Sequence, residues 1–168
     1  PGCFAALKSS QFILQQFQAG ARESIRSLLD ETRLEGRRLA IETIEFPLEL
    51  TVALAEELDL SLCLDTGHVL AGFSGPVDFM AAVDLCLPRL AEVHLHDSPL
   101  CTPEDPGYGL DHRPLGTGDL DVEGLLDRLA DAGFAGPVIF ELTLEEALAS
   151  MTVIRERRPG LVGGSVGA

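Results

Sequence analysis

Positive charge is scarce in this sequence. Only 12 of its 168 residues are Lys or Arg, against 27 Asp or Glu, a formal net charge of −15 with a pI near 4.4. A protein that grips a nucleic-acid backbone neutralises phosphates with clustered basic side chains. Here the basic residues before Arg89 fall mostly between Arg22 and Arg38, where they read as the solvated face of one helix. The composition therefore argues against nucleic acid as a partner. Long apolar runs are missing too: no stretch approaches the ~20 consecutive apolar residues that span a bilayer. No basic start followed by an apolar signal core is seen, although the first residue is Pro1, so a targeting segment upstream stays open. Cytoplasm is the expected location. Cys3, Cys63, Cys86 and Cys101 include no closely spaced pair, which argues against both a disulfide framework and a zinc knuckle.

What is present is a core-forming composition, 46% hydrophobic with a mean hydropathy of +0.20, in a chain long enough for one domain. Ile25, Leu28, Leu29 and Leu34 recur at helical spacing within Ala21 to Glu35. Further helices are predicted from Pro47 to Leu58, from Val77 to Leu87 where Pro88 stops the run, from Val122 to Ala132 between an Asp121 cap and Gly133, and from Leu144 to Arg157. Between them lie strands at Arg38 to Ile44, Leu60 to Asp65, Glu92 to His96 and Val138 to Leu142, with a turn at Gly72 to Pro76. A long polar loop runs from Ser98 to Gly118. Residues 1–158 are expected to form one domain and residues 159–168 a disordered tail. Strict strand–helix alternation predicts a parallel sheet with right-handed crossovers. Four strands are half of what a closed barrel needs. Either a small open sheet or the C-terminal half of a (β/α)8 barrel fits, and the residues at the strand ends favour the half barrel, because open sheets concentrate ligands at one switch point.

Those strand ends carry the chemistry. Leu62-Cys63-Leu64-Asp65-Thr66-Gly67-His68 delivers a carboxylate, turns on Gly67 and presents an imidazole. Similar endings occur at Leu39 to Glu42, at Val93-His94-Leu95-His96-Asp97, around His112 on the long loop, and at Val138-Ile139-Phe140-Glu141. All four histidines of the chain (His68, His94, His96 and His112) lie at these places. Carboxylates and imidazoles at successive ends of parallel strands share one rim, which points to a metal or acid–base site. His94 and His96 share a parity, so both face the same side of their strand, with His94 deeper. Glu42 follows an apolar strand, where a carboxylate is costly unless paired or metal-bound; Glu45 is an equal candidate nearby. In Asp111-His112-Arg113-Pro114-Leu115-Gly116-Thr117-Gly118, His112 is a further candidate ligand and Arg113 a candidate clamp for phosphate or carboxylate.

On the Ile41-Glu42-Thr43 strand end, the Asp65-Thr66-Gly67-His68 and His94-Leu95-His96-Asp97-Ser98 motifs, the His112 to Gly118 segment and Phe140-Glu141-Leu142, the chain resembles the xylose-isomerase-like TIM barrels. That superfamily (AP endonuclease family 2) holds sugar and sugar-phosphate isomerases and epimerases together with endonuclease IV. The resemblance covers roughly residues 20 to 158 and implies that the first four barrel strands are not part of this sequence. It implies Glu42, Asp65, His94 and Glu141 as ligands of one divalent cation, with Mn²⁺, Mg²⁺ or Co²⁺ suited to so oxygen-rich a set. It matches His68 and Arg113 to substrate-contacting positions and His112 to a ligand position in the multi-zinc branch; Glu42 and Glu141 are expected as the catalytic pair, and His96 and His112 as further substrate contacts or as imidazoles able to recruit a second metal.

The implied activity is isomerisation or epimerisation of a small sugar or sugar phosphate by proton transfer through a metal-stabilised ene-diolate. The loop with Gly107-Tyr108-Gly109 and the Glu141 to Ser150 segment resemble more specifically the cobamide-remodelling phosphodiesterases, for which Zn²⁺ and hydrolysis are the alternative. A non-catalytic fragment is a third reading. The expected partner is a small-molecule substrate. Two open sheet edges would also admit a homodimer.

Overall fold

A computed structural model of the chain describes residues 11–44, 46–102 and 109–160. Four strands, β1 (Ala40–Glu42), β2 (Ser61–Asp65), β3 (Leu90–Leu95) and β4 (Val138–Phe140), form one sheet in the order β1-β2-β3-β4, each pair parallel. Around them lie helices α1 (Gln11–Thr32), α2 (Leu48–Glu57), α3 (Thr66–Leu70), α4 (Phe79–Cys86), α5 (Val122–Asp131) and α6 (Leu144–Arg157). Sequential strands as parallel neighbours, each joined to the next through helix, make four successive units of a β/α barrel wall. The protein is a partial TIM barrel. Among the described residues no helix is long and apolar enough to cross a membrane.

The two faces of the sheet differ sharply. Leu62, Leu64, Val93 and Leu95 face the helices and are 0–1% exposed. They pack with Leu48, Ala55, Val83, Cys86, Val122 and Leu125 into one continuous core. The opposite face carries Glu42, Cys63, Asp65, Glu92, His94 and, on β4, Ile139, which is 44% exposed. Strand periodicity of two alone would scramble this division, because β3 must be in phase with β2. A register shift provides the phase: Leu62 pairs with Leu90 but Cys63 pairs with Glu92. The extra residue puts Glu92 and His94 on the same side as Cys63 and Asp65.

Several boundaries differ from the sequence expectation. The first helix begins ten residues early, at Gln11, and runs through Gly20, where a Cβ would meet nothing; an exposed interior glycine weakens a helix without breaking it. β1 is shorter than Arg38 to Ile44, because Gly36–Arg38 wind a 3-10 turn closed by the Leu39 N–H on the Gly36 carbonyl. β4 stops at Phe140, so Glu141 lies just past the strand. Helix α3 was not expected at all. The Asp65 carboxylate accepts the His68 N–H at 2.7 Å and so caps it. Gly67 is needed for closeness rather than for a turn: a Cβ there would sit 2.1 Å from Nδ1 of His96. The capping box of Thr143 and Glu146 places α6 where expected. Glu45, Gly107, Tyr108 and residues 161–168 of the expected tail lie outside the described residues.

The long loop is tied down by a single carboxylate. Asp97, fully buried, follows β3 and accepts the backbone N–H groups of Ser98, Gly116, Gly118 and Leu120 at 2.8–3.0 Å. Its own backbone exchanges two hydrogen bonds with Arg113. Gly118 is obligatory at this approach, since a Cβ would lie 2.5 Å from Asp97 Oδ1. Removing the acceptor leaves several buried donors unpaired, at about 1–3 kcal/mol each. Asp97→Ala is therefore expected to destabilise the protein by at least about 3 kcal/mol in urea unfolding, with Asp97→Asn in between. A loss under about 0.5 kcal/mol, the range of an ordinary surface substitution, would mean that the loop is held elsewhere.

Candidate metal centre and active site

Parallel pairing alone does not bring the strand-end groups together; the stagger of the strands does. Glu42 is level with Cys63, two residues below Asp65, while Asp65 is level with His94, and His94 is level with Ile139, two residues below Glu141. Steps of two conserve side-chain parity, so all four groups stay on the open face as the strands tilt. One ligand atom from each of Glu42, Asp65, His94 and Glu141 lies within 4.8 Å of the others. Nδ1 of His94 is 3.1 Å from Glu141 Oε1, 3.3 Å from Glu42 Oε1 and 3.9 Å from Asp65 Oδ2. Donor atoms bound about 2.1 Å from one divalent ion are spaced about 3 Å apart in an octahedral shell, so this set fits such an ion.

The electrostatics point the same way. Burial opposes a charge on His94, but the nearby Glu141 and Glu42 carboxylates prevail and raise its pKa above the ordinary value. Asp65 is fully buried. Burial works against its ionised form, and the hydrogen bond and charge of His96 overcome that, holding its pKa below the usual carboxylate range. Both oxygens of Asp65 lie 2.9–3.0 Å from His96 Nε2, and its backbone N–H donates to Thr43 Oγ1. Nδ1 of His96 accepts the His112 N–H at 2.9 Å. The proton of the neutral His96 ring therefore sits on Nε2 and is donated to Asp65. With both nitrogens engaged and the side chain fully buried, His96 is placed to hold Asp65 and the loop, not to touch substrate as the sequence suggested. Thr66 ties the two strand ends together: its hydroxyl donates to the His96 carbonyl at 2.6 Å and accepts the His96 N–H.

His68 is different. It is 5% exposed, and its Nδ1 is buried without a hydrogen-bond partner. That atom lies 3.5 Å from Glu42 Oε1 and 3.4 Å from Asp65 Oδ2, while Nε2 lies 3.4 Å from Asp111 Oδ2. A buried polar atom left unmatched beside the carboxylates is a ready contact for an incoming hydroxyl. His112 occupies a left-handed backbone conformation (φ 55°), held by its N–H bond to His96. Its ring stacks on that of His96 with centroids 4.2 Å apart, and its nitrogens lie 2.7 Å from Asp111 and 3.4 Å from Glu141 Oε2. Beside Glu141 opens a hollow bordered by His112, Phe140 and Thr143. Arg113 is placed by its backbone bridge to Asp97, with its side chain half-buried.

Two further groupings adjoin this centre. Cys63, Glu92 and His94 bring one donor atom each within 4.8 Å, as do His68, His96 and His112. Burial, then the charges of Glu42 and Glu92, push the Cys63 thiol up to about 12, so it stays protonated. Asp111, Glu92 and Thr66 all touch site residues and were not singled out from the sequence. Asp111 precedes His112 directly and Glu92 shares the parity of His94, signals that a strand-end reading passes over.

The sequence profile described as "Xylose isomerase-like TIM barrel" matches residues 6–157. No curated protein gives a significant match. Among solved structures, a D-tagatose 3-epimerase-like protein superposes with a TM-score of 0.64 at 18% identity, over 86% of this chain and 54% of that one. A xylose isomerase-like TIM barrel protein from Mycobacterium smegmatis, in complex with magnesium, gives 0.64 at 20% identity over 84% and 50%. A D-allulose 3-epimerase from Methylomonas sp. gives 0.56 at 19% identity over 83% and 55%. At such identities the likeness is one of fold, and the chain spans about half the length of these structures. With a profile match over nearly the whole chain and four parallel barrel units behind it, the chain belongs to the xylose isomerase-like TIM barrel family.

Proposed function

We propose that this protein takes part in divalent-metal-dependent isomerisation or epimerisation of a small sugar or sugar phosphate. The observation that carries the reading is the convergence of Glu42, Asp65, His94 and Glu141 within 4.8 Å on one sheet face. The sugar epimerases among the structural relatives support the substrate class. A cation held by these four residues would supply Lewis acidity toward substrate oxygens, with Mn²⁺, Mg²⁺ or Co²⁺ suiting the oxygen-rich donor set. The magnesium complex of one relative is in keeping with that choice.

The chain's own groups then have distinct tasks. Glu42 and Glu141 approach His94 Nδ1 from strands at opposite ends of the sheet, each through Oε1. Each keeps a second oxygen, so one carboxylate can take a proton from a substrate carbon while the other returns one to the opposite face. The unmatched Nδ1 of His68 would bind a substrate hydroxyl. His112 would steady Glu141 through Nε2, and Arg113 would meet a phosphate or carboxylate group. Asp65, saturated by His96, the His68 N–H and the cation, is a ligand only.

Phosphodiester hydrolysis is the second reading, favoured by the His68, His96 and His112 grouping as a place for a second ion, where Zn²⁺ would suit the imidazoles. The engagement of both His96 nitrogens weighs against it. The open edges of β1 and β4 admit a second copy of the chain or further strands beside them.

Three outcomes are expected. Elemental analysis should find one divalent ion per chain, whereas two or three would favour the hydrolase. Glu141→Gln should cut exchange of solvent deuterium into the sugar by about 10²- to 10⁴-fold, the usual contribution of one acid–base group, with the melting temperature retained. Retained exchange would remove Glu141 from the mechanism. Metal affinity should depend on pH in a definite direction. The His94 pKa is raised, so the proton competes with the metal even above about pH 6.5, the ordinary imidazole value. Below the raised pKa, affinity for Mn²⁺ in isothermal titration should fall by about tenfold per pH unit; a flat profile across that range would exclude His94 as a ligand.

A further inference from the structure

We propose that Glu92 is a positioning residue for His94, holding the imidazole by Nε2–H so that Nδ1 stays free and turned toward Glu42, Asp65 and Glu141. The inference rests on the reading of those four residues as a cation site, and it assigns a role to a carboxylate that belongs to none of the four.

Glu92 and His94 are two apart on β3 and share its open face. Nε2 of His94 lies 3.2 Å from Glu92 Oε1, while Nδ1 on the other side of the ring faces the three converging carboxylates. A neutral imidazole has one protonated and one free nitrogen, and a hydrogen bond at one decides the state of the other. Glu42 and Glu141 also offer acceptors to Nδ1 in the metal-free ring, but a cation seated among them takes the Nδ1 lone pair, and the one proton of the neutral ring is then held on Nε2 by Glu92. Among the described residues, the Glu92 carboxylate has no other hydrogen-bond or ion-pair partner. Its side chain is 30% exposed, so it is partly desolvated for this contact. The register shift beside Ala91 is what puts Glu92 on this face. Carboxylates in this relation to a ligand histidine commonly change metal affinity by about 10- to 100-fold when removed.

The test uses the intact chain with Mn²⁺ as probe. Isothermal titration of Glu92→Ala should show affinity lowered by about 10- to 100-fold, and Glu92→Gln by less, because the amide oxygen still accepts the Nε2–H. In a His94→Ala background, Glu92→Ala should change the affinity by less than about twofold, since its effect passes through the ring. With diamagnetic Mg²⁺ bound, ¹⁵N spectra should show His94 protonated at Nε2, with a slowly exchanging proton in the native chain and a rapidly exchanging one in Glu92→Ala. An Nε2 proton that exchanges equally slowly without Glu92 overturns the inference, as does a loss of affinity of equal size with and without His94. The near-isosteric Glu92→Gln serves if Glu92→Ala does not fold. None of these readouts involves turnover. Normal coupling in a chain that epimerises no sugar would remove the proposed function and leave this inference standing.

Discussion

Three carboxylates brought within 4.8 Å of one another set the terms for everything else on the open face of this sheet. Two like charges about 4 Å apart repel by roughly 1 kcal/mol in water and roughly 4 kcal/mol at the effective dielectric of a protein surface. Three such pairs in one place need a positive charge among them. The raised pKa of His94 is one response: the ring holds a proton more tightly because Glu141 and Glu42 flank it. A divalent cation would answer the same field more completely and displace that proton. The electrostatics of the cluster thus favour a cation independently of any resemblance.

The cluster is kept in place by groups that never enter it. Asp65 owes its depressed pKa to His96 and its orientation to the Thr43 hydroxyl and the first turn of α3. His96 is fixed between Asp65 and the backbone of His112. Asp97 in turn fixes the segment that carries His112 by gathering four N–H groups. The His-x-His-Asp stretch at the end of β3 therefore spreads its work over three distances from the centre. His94 is at the cluster, His96 one contact behind it, and Asp97 under the loop. A change at Asp97 would reach Glu141 by way of His112, and also through the bond from Leu115 N–H to Ser150 on α6.

Much of this was legible in the residues. The alternation of apolar runs and helical spacing predicted four parallel strands, because a strand buried on its helix side reads as a plain apolar run such as Leu60 to Leu64. The grouping of carboxylates and imidazoles at strand ends was visible for the same reason. What could not be read was phase and depth. Nothing in Leu90-Ala91-Glu92 announces a register shift, yet that shift decides that Glu92 and His94 together lie on the side of Cys63 and Asp65. His94 and His96 share a parity, and His94 was expected to be the deeper; instead His96 is fully buried, packed against Gly67 and the His112 ring, while His94 keeps 18% of its side-chain surface. Gly67 was expected to make a turn. It is needed as a missing side chain.

The two faces of the sheet also separate what this chain can do alone from what needs more. All four candidate ligands come from its own four strands, one from each strand or the residue just beyond it. Ile139 is 44% exposed on the open side, and Glu92 and Glu141 keep about a third of their side-chain surface. A substrate resting on these groups would be covered on one side only, and charge stabilisation in catalysis depends on excluding water. The proposed metal binding and the proposed turnover are therefore separable: the first needs only groups on the strands described, while the second would depend on whatever covers the open face.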